Sequence, residues 1–253
     1  MSSTEPIHEV TFKVNTFECD FNHRLKPAAF FQRLTETTGE HAARLGFGYE
    51  AMQTRGYFWV LARMKVKFLR FPQGGETALI RTWPKTIQQK LFYMRDFQVL
   101  DADGEILALA SSAWLVVDAI QRRMVPPQAA RLDLPGLPDR AGLEEPLEKI
   151  GLKGNGTEVL RRRAGYSAVD VLGHVNNSRY VESICDAFPL EHYRHNTLDW
   201  LQVNYDHEVQ PEEEVAVLVE QSAADANLWT VEGVNRSNDT RAFEAALHWQ
   251  EMM

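Results

Sequence analysis

The chain is poor in the features that mark export, metal binding or nucleic-acid recognition. Two cysteines, Cys19 and Cys185, are all that 253 residues contain, too few for a disulfide framework or a metal-ligand cluster and consistent with a reducing compartment. Neither a metal nor a cofactor is expected. Acidic residues outnumber basic ones by 35 to 27, for a formal net charge of -8, which argues against a nucleic-acid partner while allowing local basic patches. The opening MSSTEPIHEV has no basic segment and no apolar one. The most apolar run, EILALASSAWLVVD, is too short and too serine-broken to span a bilayer. The expectation is a soluble cytoplasmic protein without a membrane span. What is present suits an ordinary folded chain, because 44% hydrophobic and 10% aromatic residues can build a substantial core.

Prolines, glycines and charges gather in VPPQAARLDLPGLPDRAGLEEPLEKIGLKGNG, residues 125–156. That composition reads as a linker, so the chain divides into an N-terminal module, residues 1–125, a linker, 126–155, and a C-terminal module, 156–253. The two modules match when one is laid on the other. Asp20, Leu25, Phe30, Phe31 and Leu34 fall on Asp170, Val175, Tyr180, Val181 and Ile184 at a constant offset of 150. Met64, Val66 and Phe68 meet Leu201, Val203 and Tyr205 at 137, and Ala110 and Trp114 meet Ala245 and Trp249 at 135. Offsets that shrink only at turns are what a tandem duplication with loop deletions leaves behind.

Each copy reads as a strand, one long helix and three or four alternating strands. The first helix opens on Pro27, suited to a first turn, and ends at Gly46, a C-cap. In the second copy Asn176 or Asn177 caps SRYVESICDAF and Pro189 ends it. A helix lying across an antiparallel sheet is an α+β arrangement, here repeated in tandem.

One stretch carries chemistry: SAVDVLGHVNNSRYVESICDAF, residues 167–188. It sets Asp170, Gly173, His174 and two asparagines at the mouth of a helix. Hydrolysis at a carbonyl needs a base to activate water and donors for the oxyanion, and a helix N-terminus offers free N–H groups and a positive dipole end. The amides near Gly173, Val175 and Asn176 are the candidate donors. Glu208, on an adjacent strand, is the candidate base, with His174 polarising the carbonyl or positioning water and Asp170 orienting both. His207 shares the phase of Val203 and Tyr205, so on a regular strand it faces away from Glu208, and a bulge would decide which of the two reaches the site. In the first copy Arg24 stands where His174 does and Phe71 where Glu208 does. The second copy therefore reads as catalytic and the first as a binding half. Cys185, mid-helix among apolar residues, reads as a small buried hydrophobe.

The segment DVLGHVNNSRY resembles the Asp-x-x-x-His-Val-Asn-Asn-x-x-Tyr signature of the acyl-ACP thioesterases, plant fatty acyl-ACP thioesterases and their bacterial relatives. LGFGYEAMQTRGYFWVLARMKVKF, SSAWLVVD and NYDHEVQPEEEV extend the resemblance over nearly the whole chain. It implies a double hotdog fold, and its catalytic aspartate, histidine and glutamate fall on Asp170, His174 and Glu208. Two positions depart: Leu172 replaces an asparagine, and Val209 replaces a cysteine, which excludes a thiol nucleophile there.

The implied partner is acyl carrier protein bearing a fatty acyl chain, hydrolysed in fatty acid biosynthesis; self-association into a homodimer is open. Phe30, Phe31, Leu34, Phe58 and Trp59 are the candidate walls of an acyl tunnel, since each buried methylene contributes about 0.8 kcal/mol in a dry apolar site. Arg161, Arg162, Arg163 and Arg179 are the candidate docking patch for an anionic carrier. The alternatives are an acyl-CoA thioesterase of the same fold and a non-catalytic acyl-binding protein.

Overall fold

The computed structural model describes residues 6–252. It divides into two compact units, one holding the chain up to Leu25 together with Gln32–Leu147, the other Lys26–Phe31 together with Glu148 onward.

The first unit begins with β1 (His8–Lys13), followed by helix α1 (Pro27–Arg44), of which it holds the part from Gln32 onward, and the short α2 (Tyr49–Thr54). Four strands follow, β2 (Tyr57–Phe68), β3 (Thr77–Gln88), β4 (Phe92–Leu100) and β5 (Ile106–Asp118), then the two-residue β6 (Met124–Val125) and α3 (Pro127–Ala130). The strands lie side by side in the order β1-β3-β4-β5-β2, antiparallel throughout, with β6 added to β5. On β2 the alternation foretold for Met64, Val66 and Phe68 holds, all three being buried between half-buried Lys65 and Lys67. Helix α1 turns Phe30, Phe31, Leu34, Thr37, Thr38, His41 and then Leu45 inward, at helical spacing. It stops in a Schellman arrangement. Gly46 takes φ +79°, its amide donates to Ala43 at 3.1 Å, and the next amide, Phe47, reaches back to Ala42 at 2.8 Å.

The second unit repeats the plan: β7 (Thr157–Arg163), α4 (Asn177–Asp186), α5 (Leu190–His195), then β8 (Asn196–Tyr205), β9 (Glu214–Gln221), β10 (Leu228–Asn235) and β11 (Thr240–Glu251). Its strands lie in the order β7-β9-β10-β11-β8, the first unit's order with each strand replaced by its counterpart. The backbone bonds between turns repeat too. Val14 donates to Glu76 at 2.9 Å and Ala164 to Glu213 at 2.8 Å; Gly75 donates to Val14 at 2.9 Å and Glu212 to Ala164 at 2.8 Å. Helix α4 packs Tyr180 against Tyr205 and Phe243, with ring centroids 6.0 and 5.3 Å apart. It has ten residues against eighteen in α1, because Pro189 breaks it and α5 carries the chain onward.

The proline-rich segment has no regular element after α3 but is not loose. In the first unit Leu132, Leu143 and Leu147 are buried, the Trp83 indole donates to the Arg140 carbonyl at 3.1 Å, the Gly142 amide donates to Asp96 at 2.9 Å, and Arg63 donates to the Leu147 carbonyl at 2.6 Å. In the second, Gln202 donates to the Glu148 carbonyl at 2.7 Å and the Ile150 amide to Glu244 at 3.1 Å. Its leucines anchor it and buried polar side chains satisfy its backbone, as an irregular segment on a sheet requires. No helix among the described residues is long and apolar enough to cross a membrane.

Candidate active site

The loop before α4 is a tight closed turn. Asp170 donates its amide to the His174 carbonyl at 3.0 Å and receives the Gly173 amide on its own carbonyl at 3.0 Å, while its Oδ1 accepts the Leu172 amide at 2.9 Å. Gly173 closes the turn at φ +84°, a conformation that a side chain at this position would strain. Asn176 is the N-cap of α4. Its Oδ1 accepts from the Ser178 amide at 3.0 Å and hydroxyl at 2.7 Å, and its Nδ2 donates to Asp170 Oδ2 at 3.2 Å. One side chain thus ends the helix and orients the aspartate.

This turn brings Asp170, His174 and Glu208 together. His174 Nδ1 lies 4.0 Å from Asp170 Oδ1, and its Nε2 lies 3.8 Å from Glu208 Oε1. Both separations exceed a hydrogen bond, as catalytic contacts often do before substrate tightens them. The three side chains are 20, 22 and 35% exposed for His174, Asp170 and Glu208, so substrate can reach them. Glu208 arrives through a bulge: the amides of Asp206 and His207 both point at the Ala242 carbonyl, at 2.9 and 3.3 Å. The irregularity breaks the phase of β8, turns His207 away to the Arg241 carbonyl at 2.8 Å and leaves Glu208 toward His174. The Val175 amide bonds the Val209 carbonyl at 2.9 Å, tying the turn to the glutamate's segment. Beneath lies Tyr180, whose phenol burial holds neutral, with the nearby Glu208 and Asp170 charges adding to the effect.

The amides expected to receive an oxyanion are otherwise engaged. Gly173 donates to Asp170, Val175 to Val209 and Asn176 to the Ala168 carbonyl, because the turn closes on itself before the helix begins. The His174 amide, like those of Val171 and Asn177, has no acceptor among the described residues.

The first copy holds the same turn with different chemistry. The Asp20 amide donates to Arg24 at 2.8 Å, His23 at φ 61° donates to Asp20 at 3.0 Å, and the Leu25 amide bonds the Pro72 carbonyl at 2.9 Å. Arg24 pairs with Asp20 at 3.1 Å and its guanidinium sits 5.8 Å over the Phe71 ring. An ion pair capped by an aromatic ring has no free base.

The expected tunnel walls separate into two groups. Phe30, Phe31 and Leu34 are buried on α1. Trp59 donates to the Phe47 carbonyl at 2.9 Å and packs edge-on against Tyr93 at 5.1 Å, within a cluster of Leu45, Phe47, Met52 and Val116. Phe58 does not join them, since adjacent strand residues point to opposite faces and Phe58 lies under the Arg122 guanidinium at 5.0 Å. The expected basic patch is a set of ion pairs: Arg161 with Glu158 at 2.7 Å, Arg162 with Asp186, Arg163 with Glu212, and Arg179 with Glu182 at 2.6 Å. Their charges are balanced locally. Around the turn itself the exposed side chains are apolar, with Tyr166 and Val171 fully exposed and Leu172 48% exposed.

Comparison with known proteins agrees with this architecture. The acyl-ACP thioesterase N-terminal domain model matches residues 5–128 and the C-terminal domain model residues 156–251. The chloroplastic acyl-[acyl-carrier-protein] hydrolase FATB2 of Cuphea viscosissima is 27% identical over 193 residues, covering 71% of this chain and 47% of that protein. The chloroplastic oleoyl-acyl carrier protein thioesterase of Coriandrum sativum is 25% identical over 231 residues, covering 81% and 60%. The chain thus spans about half to three-fifths of the length of these curated relatives. The crystal structure of an acyl-ACP thioesterase from Bacteroides thetaiotaomicron superposes with a TM-score of 0.88 at 27% identity, over 99% of this chain and all of that one. The 12:0-ACP thioesterase from Umbellularia californica shares the fold, with a TM-score of 0.81 at 20% identity over 97% and 98% of the two chains. With both domain models matched in order and the double hotdog fold shared with the solved structures, the chain belongs to the acyl-ACP thioesterase family.

Proposed function

We propose that this protein hydrolyses the thioester of a fatty acyl chain carried on acyl carrier protein, releasing the free fatty acid and the carrier thiol. The observation that carries this is the contrast between copies: one turn, built twice with the same backbone bonds, holds His174 beside Glu208 in the second unit and a closed Arg24–Asp20 pair under no base in the first. A role in folding alone would not need the difference. In the reaction Glu208 takes a proton from water as its oxygen bonds to the acyl carbon. The carbonyl oxygen gathers negative charge at the His174 amide and ring, and collapse breaks the carbon–sulfur bond, the thiolate leaving with the proton. Asp170, fixed by the Leu172 amide and Asn176, holds His174 in place.

The N-terminal module, residues 1–125, binds the chain beneath α1, where Phe31 and Leu34 supply the apolar wall; residues 156–253 carry the catalysis. With the arginines paired, the carrier's arm passes the apolar lip of Val171 and Leu172. A reducing cytoplasm suits a chain whose Cys19 and Cys185 are not in a disulfide.

Single-turnover hydrolysis of acyl-ACP tests the reading. His174→Ala and Glu208→Gln should each slow turnover on the order of a hundredfold or more, as general acid-base groups do, with acyl-ACP binding little changed. Equal rates in both variants would move the active site elsewhere, and tight binding without hydrolysis by the wild type would leave an acyl-binding protein.

A further inference from the structure

Alternation along β4 sends Tyr93, Arg95 and Phe97 to the face that α1 covers and Asp96 to the opposite one. Asp96, fully buried, is well served: Ser111 donates to it at 2.7 Å, the Gly142 amide at 2.9 Å and Lys85 at 3.0 Å. Arg95 is not. It is 6% exposed, and its Nη1 donates to His41 Nδ1 at 2.9 Å and to Thr82 Oγ1 at 3.2 Å, both neutral acceptors. Its Nε and Nη2 protons meet no acceptor among the described residues. Among the described residues no carboxylate pairs with it either. Glu40, on α1, lies against His8 at 3.5 Å, and Arg44 adds positive charge nearby. Burial alone acts on the guanidinium, drawing its pKa down to about 9, which leaves it charged at neutral pH.

A largely buried charge with three of its five N–H donors unpartnered is costly unless something fills them. The idle edge, Nε with Nη2, is the one that grips a carboxylate through two parallel hydrogen bonds. Two residues along the same strand face, the Tyr93 hydroxyl is buried without a partner. The inward face of α1 changes character in step: Phe30, Phe31 and Leu34 give way to Thr37, Thr38 and His41. At 1.5 Å per residue, Leu34 and His41 stand about 10 Å apart along the axis. The threonine hydroxyls are spent on the Arg33 and Leu34 carbonyls, which leaves Arg95 and Tyr93 as the open groups. An apolar wall that ends at an unfilled guanidinium is built for an apolar chain with a polar end.

We propose that Arg95 receives the far end of the acyl chain, and that this end bears a hydrogen-bond acceptor, a carboxylate fitting best. The proposal rests on the reading that the N-terminal module holds the chain beneath α1. The test loads acyl carrier protein with chains of one length ending in methyl, hydroxyl or carboxylate, and measures both Kd by calorimetry and single-turnover hydrolysis with the wild-type protein. The expected order is carboxylate, hydroxyl, methyl, with carboxylate favoured over methyl on the order of a hundredfold, because a site built to bond a polar group rejects the analogue that lacks it. Arg95→Met should abolish that preference and Arg95→Lys should keep part of it, each checked for folding by its melting transition. A wild type that binds methyl-ended chains as well as carboxylate-ended ones overturns the proposal without any variant. Absence of hydrolysis on every chain would overturn the thioesterase reading instead, and the order of Kd values would still decide the role of Arg95.

Discussion

Replacing Asn176 separates its two jobs. As N-cap it accepts the Ser178 amide at 3.0 Å, and as a donor it reaches Asp170 at 3.2 Å. Losing a cap of this type costs about 1 kcal/mol, within a range of roughly 0.5–2. A hydrogen bond to a charged group is worth about 1.5–3 kcal/mol, and the low end applies because Asp170 is 22% exposed and water can take the donor's place. Asn176→Ala should therefore lose about 2–3 kcal/mol in urea denaturation. Asn176→Asp keeps the capping oxygen and places a negative charge at the positive end of α4, which favours the helix, but it sets a second carboxylate against Asp170. It should retain the cap's share of stability and still lose turnover, on the order of tenfold or more, as Asp170 shifts and no longer holds His174. The two variants thus part company: Ala is penalised in stability and rate, Asp chiefly in rate. An Ala variant as stable as wild type, or an Asp variant that turns over at the wild-type rate, would refute the double role.

Trp59→Ala and Phe31→Ala should move the acyl chain-length profile, since one methylene is worth about 1–3 kcal/mol of discrimination in a closed apolar pocket; an unchanged product profile from folded variants would make both residues core. Cys185→Ala should keep most activity, and the native thiol should resist alkylation at pH 8, because burial pushes it up to about 12; rapid labelling of native protein would contradict this. Burial lowers the pKa of His8 and of His192 below 6.5, so the unfolded chain binds the extra protons. Their contribution is complete above pH 6.5 and is lost as pH falls below it. The melting temperature should drop between pH 7 and pH 5, ahead of the carboxylates, and His8→Phe should flatten that slope; a flat wild-type profile would exclude the effect.

The offsets of 150, 137 and 135 exposed the duplication because hydrophobic alternation and helix boundaries are local properties, and the strand order repeats in both units. Asp170, His174 and Glu208 were legible as a group, since a turn glycine and a helix cap fix where the first two stand. The amides of Gly173, Val175 and Asn176 were misread because the closure of the turn depends on Ala168 and Val209, partners that residue types alone do not assign. The short helices α2 and α5 carry too few residues for a periodic signal. Phe58 was assigned to the wall with Trp59 although alternation already set them on opposite faces. The ion pairs of Arg162 with Asp186 and Arg163 with Glu212 join residues far apart in sequence, beyond any local pattern. Arg95 left one trace, a charged residue inside the apolar run LFYMRDFQVL, where the neighbouring Asp96 makes a surface ion pair the easier reading.

The two copies show what duplication permits. A turn whose backbone bonds are satisfied internally, Asp20 to Arg24 or Asp170 to His174, holds its shape whatever the fifth side chain is. That position can therefore change chemistry at little cost to the fold. In the first copy it became Arg24, whose charge Asp20 neutralises and whose plane Phe71 covers. In the second it is His174, with a carboxylate on either side and room on both. Both copies keep the bulge, at Leu69 and Arg70 in the first and at Asp206 and His207 in the second, and in the second it presents Glu208, where a regular strand would have presented His207. Removing the bulge by deleting one residue there, with Glu208 kept in sequence, should silence the site more thoroughly than Leu172→Asn alters it, since the first moves the base and the second changes only a half-exposed neighbour.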